Sequence, residues 1–392
     1  MNYILFENNY DLLRPFSDLH ASFELRAGVF NNIERLMESI SSNDSVQLYV
    51  REDIKDLIKE RYPKLSVNPD YFDPGIYLNG SCIWSSELLE SIDHNRSYSN
   101  QNGLIAFHTD LKILIEDISD AIKDQSKVST RLENVVSIKY LWDIFGILGE
   151  TINSDFELLH TNKQGDIHPS CIFINDDTII INDNVKISAG VILDASEGPI
   201  IIDSNSFIDI GSLIKGPVYI GNSTKINPGT KLIGPVVTGP LCKLGGEIED
   251  SVIQGFSNKQ HDGFLGHSYI GEWVNLGAST NTSDLKNNYS TIRMQINDKN
   301  LIDTEEMFIG SLIGDFSRTA IGTKLNTGTF IGVGSNLFED GFQNKYIPSF
   351  SWGQSEKVGL NRFINSSKKA MSRRDCIMSE TLKQKIIQLY QR

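Results

Sequence analysis

His261 is the side chain of this sequence most suited by type and setting to move a proton. In the segment GFSNKQHDGFLGHSYIGEWVNLGAST, which begins at Gly255, it has a cation two residues before it and an aromatic three after. An Asn-x-Gly-Ala element follows at fourteen. Imidazole titrates near neutrality, which suits it to take a proton from an amine about to attack a thioester. Asp262 could orient the ring, and the backbone amides around Gly277 to Ser279, beside small side chains, could receive a developing oxyanion. The competing reading is a histidine that only fills a structural corner.

The elements that would hold these residues are set by an unusual period. Ile181, Ile187 and Leu193 are six apart, as are Ile202, Ile208, Ile214, Ile220, Ile226 and Leu232, and later Ile270 with Leu276 and Leu325 with Ile331. Neither helix nor half-buried strand has that spacing; it is the hexapeptide repeat of a parallel β-helix. One coil cannot bury its apolar side alone, so several must stack. Most of the 31 glycines lie between Gly190 and Gly341, as corners require. The period breaks at Gly255 to Gly266, where polar residues replace aliphatic ones, and again at Thr282 to Met307, too long to be a coil. Long loops on a rigid scaffold commonly carry function.

Before the repeat, strands at Tyr3 to Phe6, Val46 to Val50, Ile76 to Leu78 and Leu104 to Phe107 alternate with helices at Ile33 to Ile40, Asp53 to Arg61, Ser86 to Ile92 and Leu111 to Lys123. That order predicts an α/β layer with a mostly parallel sheet, which places ligands at the carboxyl ends of its strands. Two loops there bear on phosphate binding. Leu25-Arg26-Ala27-Gly28 leads into a helix whose first amides could hold a phosphate, with Arg26 and Arg14 to neutralise it. Leu78-Asn79-Gly80 closes a strand where a metal-holding carboxylate would be useful, and Asn79 stands there instead; a plain turn is the favoured reading of both loops. Val136 to Leu148, with Tyr140, Trp142 and Phe145, reads as a helical connector. The expected domains are 1–165 (α/β with connector), 166–355 (β-helix) and 356–392, where Ser366 to Tyr390 reads as one closing helix.

Composition narrows the class. A net charge of −14 argues against a nucleic-acid partner. From Glu356 onward, however, Lys and Arg outnumber Asp and Glu by nine to three, which fits either a helix packed on an acidic body or a phosphate-binding tail. No apolar run is long enough to cross a membrane and no leader opens the chain, so a soluble cytoplasmic protein is expected. Four scattered cysteines (Cys82, Cys171, Cys242, Cys376) support neither a zinc ribbon nor a disulfide framework.

The stretches SNKQHDGFLGHSYIGEWVNLGA, LKNNY, NTGTFIGV and PSFSWG, with LRAGVFNNIERL in a reduced first domain, resemble the GlmU-like family. This is the bifunctional N-acetylglucosamine-1-phosphate uridyltransferase/glucosamine-1-phosphate acetyltransferase type, and the likeness is nearest to a group of GlmU-like sugar nucleotidyltransferases of Bacteroidetes-type bacteria. The resemblance implies a left-handed parallel β-helix behind an α/β nucleotidyltransferase-like (Rossmann-like) domain, assembled as a homotrimer. It implies acetyl-CoA-dependent N-acetylation of an amino-sugar 1-phosphate, coupled to transfer from UTP to give a UDP-sugar for cell-envelope synthesis, with Mg2+ if the first domain is active. Carried over by position, His261 is the base, Phe264 and Asn275 are sugar contacts, and Lys243 and Lys259 are phosphate contacts. Gly277, Ala278, Ser311, Thr327 and Gly328 lie where acetyl-CoA runs; Arg14, Arg26, Gly28 and Asn79 fall to the nucleotide. Phe264 lacks the hydroxyl usual at its place, and the Asn-Tyr pair is displaced to Asn288-Tyr289. Two other classes remain: a non-catalytic sugar-nucleotide-binding or assembly module, and a trimeric β-helix zinc enzyme of the carbonic anhydrase type. No metal ligand set is expected in the coils, since His261 and His267 fall on neighbouring faces.

Overall fold

The computed structural model describes residues 1–159 and 163–392 and divides into an α/β layer, a long parallel β-helix and two closing helices. The first layer is a seven-stranded sheet. Asn2–Phe6 is parallel to Ser45–Tyr49 on one side and to the central strand Gly75–Asn79 on the other, and Gly103–Thr109 then runs antiparallel. Its helices are α1 (Asn32–Ser39), α2 (Lys55–Arg61), α3 (Ser86–Glu90) and α4 (Ile118–Val128). Helix α1 starts where a capping box is written into the chain: Asn31 Oδ1 accepts from Glu34 N, and Glu34 Oε2 accepts from Asn31 N, both at 2.9 Å. The fourth helix begins later than expected, because Ile113–Leu114 pairs as a short strand with Tyr71–Phe72. The connector helix α5 (Asp143–Glu157) likewise starts later than expected, after Tyr140 and Trp142 but with Phe145 inside it. Residues 160–162, near the end of the expected 1–165 domain, lie outside the described residues.

The β-helix has three faces. Most of its strands are two or three residues long, and on one face, as at Ile179–Ile181, the outer two side chains point into the prism while the middle one points out. One face carries Ile180, Ile201, Tyr219, Val237, Val252, Tyr269, Leu312, Phe330 and Tyr346 on successive rungs. Apolar on both sides, such strands must be covered. Helix α5 and the first layer cover them through Leu13, Phe16, Ile144, Leu148 and Ile152. The first domain therefore lies along the prism, against this buried face.

Both expected breaks resolve physically. Gly255 to Gly266 does not interrupt the coil: Asn258–Lys259 pairs with Lys243–Leu244, and Phe264–Gly266 pairs with Glu247–Glu249. The aliphatic signal is lost there because Lys259 takes the inward place. Residues 282–307 do leave the prism, forming an antiparallel hairpin, Arg293–Gln295 with Leu301–Asp303, whose Ile292, Met294 and Ile296 pack beside Leu312 and Phe330.

The closing segment is two helices, α6 (Leu360–Ser372) and α7 (Glu380–Gln391), rather than one. Asp375 takes a left-handed φ of 56°, and Ser379 caps α7 by accepting from Leu382 N at 3.0 Å. Helix α6 is seated on a column of corner residues with left-handed backbone. The early rungs hold Asn184 and Asn205, which tolerate that conformation; later ones hold Phe256 (φ 55°), Trp273 (φ 61°), Phe316 (φ 61°) and Phe350 (φ 63°). A bulky residue there costs about 1–2 kcal/mol. The rings offset it by packing with one another and with Phe363, Ile364 and Met371 of α6.

Candidate active site

A second face of the prism bears a polar ladder. Lys225, Lys243, Asn258, Asn275, Arg318 and Asn336 stand on consecutive rungs, each the register partner of the next. Asn258 Nδ2 donates to Asn275 Oδ1 at 3.1 Å, so the amides along the ladder orient one another. Helix α6 runs beside its later rungs. Together they enclose a pocket of about 410 Å³ lined by Lys243, Asn258, Gln260, Asn275, Arg318 and, from the helix side, Lys369, Arg373 and Arg374.

His261 follows Gln260 at the corner where this face meets the third, open face. It is exposed. Its carbonyl, not its ring, enters the local network by accepting from Lys259 Nζ at 2.9 Å. Beyond the corner, Asp262, Gly263 and Phe264 line a second pocket of about 310 Å³ with Lys231 and Glu247. His261 therefore lies along the chain between the linings of two pockets, with its neighbour Gln260 in one and Asp262 in the other.

Lys259, matched to a phosphate contact, is turned inward in this fold. It is 4% exposed and points into the prism, where Nζ also donates to Gly245 O at 2.9 Å. Burial holds its ammonium down at about 8. It stands one rung after the inward Leu244 and fixes the two carbonyls that shape the His261 corner. The amides expected to form an oxyanion hole are also committed. Gly277 N donates to Thr319 Oγ1 and Ser279 N to Asp262 O, both at 2.9 Å. Gly277 is needed for another reason: a Cβ there would sit 2.5 Å from the Ala320 backbone.

The positions matched to acetyl-CoA divide in two. Gly277 and Ala278 are partly open at the His261 corner, whereas Ser311, Thr327 and Gly328 are buried. Ser311 N donates to Ser268 Oγ, and Gly328 lies against Ile292 and Arg293, so the chain's own hairpin occupies that ground.

The first-domain positions are also differently employed. The loop at Gly28 does bind an anion, but an internal one: Asp155 of α5 accepts from Val29 N at 2.8 Å and Phe30 N at 3.3 Å, and its two oxygens take Arg35 Nε and Nη2 at 2.8 Å. A carboxylate thus fills the place suggested for a phosphate. Arg26 is buried, pairs with Glu34 and lies 5.9 Å from the Tyr219 ring on the prism. Asn79 Nδ2 donates to Leu104 O while Oδ1 accepts from both Ser81 N and Oγ. An amide so saturated does not fit Mg2+, and no step is assigned to that ion. Arg14 alone faces a cavity, of about 660 Å³ between the domains, which it shares with Tyr10, Arg51 and Lys357; there it pairs with Asp18 at 3.0 Å.

Sequence reasoning missed three groups. The cations of α6 and Arg318 were too distant along the chain to be joined to Lys243, although the basic excess after Glu356 pointed to them. His267 donates from Nδ1 to Asp284 Oδ2 at 2.9 Å and stacks on Phe308, at the far corner of the open face from His261. Among the described residues, only His20, Glu272 and Asp315 bring three potential ligand atoms within 4.8 Å. Arg61 already lies against His20 and Glu24 there, supplying the positive charge an ion would bring.

Residues 3–164 match the model of the sugar nucleotidyl transferase family. A bifunctional sugar-1-phosphate nucleotidylyltransferase/acetyltransferase of Sulfurisphaera tokodaii is 30% identical over 112 residues, 29% of this chain and 27% of that protein. The first domain is thus similar to sugar nucleotidyl transferases. The matched stretch spans about a quarter of the curated relative's length. In this chain the matched domain is laid along the side of the β-helix, and no helix among the described residues is long and apolar enough to cross a membrane.

Proposed function

We propose that the chain N-acetylates an amino-sugar 1-phosphate from acetyl-CoA, coupled through its first domain to sugar-1-phosphate nucleotidyl transfer from UTP. The observation that carries the reading is the exposed His261 at the corner whose neighbours, Gln260 and Asp262, line two pockets, one rich in cations. The amine nitrogen attacks the thioester carbonyl and its proton passes to the imidazole. Collapse of the tetrahedral adduct expels the thiolate, which takes that proton back. The corner lies on the faces left free by the first domain, so a threefold assembly that brings a neighbouring prism against it would complete the donor groove. The name of the Sulfurisphaera relative supports the same pair of activities.

The test is one mixture of glucosamine 1-phosphate, acetyl-CoA, UTP and Mg2+ in which free CoA and pyrophosphate are followed separately. CoA release that requires the amino sugar is expected, and none would overturn the acyltransferase reading. A second reading, a sugar-nucleotide-binding module without chemistry in the first domain, is favoured by Asp155 filling the Gly28 loop. It predicts CoA release without pyrophosphate.

A further inference from the structure

We infer that the pocket beneath α6 is a binding site for a phosphate-bearing ligand with at least two negative charges, and that α6 with the turn after it is one wall of that site. Its cations come from two remote parts of the chain: Lys243 and Arg318 from the prism, Lys369, Arg373 and Arg374 from the end of α6 and the turn after it. No Asp or Glu lines it. Among the described residues none of the five cations has a carboxylate within ion-pairing distance, although acidic residues outnumber basic ones by 50 to 36. Cations on the neighbouring open face do pair, Lys215 with Glu197 at 2.5 Å and Lys231 with Glu247 at 2.9 Å. Five like charges held together repel one another, and only an anion relieves them.

The site is built. Arg374 Nη2 donates to Asn258 Oδ1, while Nη1 is buried with no acceptor. Leaving such a group unsatisfied costs about 1–3 kcal/mol or more, and a phosphate oxygen is the acceptor that geometry favours for guanidinium. Burial and the nearby Arg374 and Arg373 hold Lys243 below its ordinary range, as expected of a cation lacking its counter-charge. The strained aromatic corner gains a purpose: Phe256 and Trp273 form the pocket's flat wall and anchor α6 so that its cations overhang the ladder.

The same chemistry would suit the phosphates of a nucleotide-like acyl donor or the phosphate of an amino sugar, and the inference stands whether or not acyl transfer occurs. Calorimetric titration of the full-length protein with pyrophosphate, adenosine 3′,5′-bisphosphate and glucosamine 1-phosphate tests it. Preference for the bisphosphate assigns the pocket to a donor, and preference for the sugar phosphate to an acceptor. Arg374→Gln, Lys369→Gln and, from the opposite wall, Lys243→Gln are each expected to weaken the best probe tenfold or more. Lys368→Gln removes the same charge from the exposed side of α6 and should change it less than twofold. Absence of binding by all three probes at millimolar concentration would overturn the inference. So would an equal effect of Lys368→Gln, which would reduce the attraction to net charge.

Discussion

His20 and Asp315 are 295 residues apart and share a buried hydrogen bond, Nε2 donating to Oδ2 at 2.8 Å. The bond joins the loop after the first strand to a late coil of the prism, with Phe16 stacked on the imidazole. Burial pushes the His20 imidazolium down and Arg61 adds to that, but Asp315 and Glu272 outweigh both, and the net shift is upward. A group whose folded pKa is raised contributes stability that is complete below its unfolded value, about 6.5, and is lost as pH rises through the folded one. His20→Ala should therefore cost about 1–3 kcal/mol at pH 6 and progressively less toward alkaline pH. Urea denaturation across that range checks it; a cost that grows with pH would refute the account.

Lys259 gives the opposite slope. Its folded value of about 8 lies below the roughly 10.4 of an unfolded lysine, so the unfolded chain binds more protons between them and stability rises with pH over that interval, by up to about 3 kcal/mol. Lys259→Met should abolish that rise and keep the coil, as it restores an apolar inward residue. Acetyl transfer by this variant should stay within about tenfold of wild type if Lys259 only shapes the corner; a larger loss with unchanged stability would return it to direct catalysis.

Asp155 satisfies Arg35 and two loop amides at once. Asp155→Ala leaves a buried guanidinium uncompensated and should cost about 3–5 kcal/mol, whereas Asp155→Asn keeps part of the hydrogen bonding and should cost less. Denaturant midpoints of the two variants give the order, and equal costs would contradict it.

His261→Ala should lower acetyl-transfer turnover by about 10²- to 10⁴-fold, with recovery at alkaline pH where the free amine forms unaided. Because the ring is exposed, thermal stability should not change. Turnover above about half of wild type at neutral pH would exclude His261 and direct attention to the His267–Asp284 pair.

The prism was readable because each coil repeats one physical demand, an inward aliphatic residue, and Ile202 through Leu232 meet it without a fault. Lys259 defeated that reading, since a charged residue in an aliphatic place looks like a break or a site until its two carbonyl partners are seen. The first-domain strands were legible from short apolar runs. The identity of their loops was not: nothing near Gly28 in sequence announces that Asp155, on a different helix, will occupy its amides. The burial of Ser311, Thr327 and Gly328 was hidden for a related reason. A hexapeptide corner such as Thr327-Gly328 looks open in sequence, and only the folded hairpin covers it. The cation pocket combines both difficulties, because its walls come from distant segments and its basic tail reads locally as a solvated helix.

The column of left-handed corners works as a ruler that counts rungs rather than residues. Successive rungs are commonly 18 residues apart, as Thr224 and Cys242 are. The step between Glu272 and Asp315 takes 43 with the insertion included, yet Phe316 still stacks on Trp273. Chain length gained at one corner is thus invisible to the stack above it. Loops of this prism are free to grow, shrink or be exchanged between relatives while the ladder from Lys243 to Arg318 keeps its spacing, so a ligand's geometry can be inherited even where the intervening sequence is not.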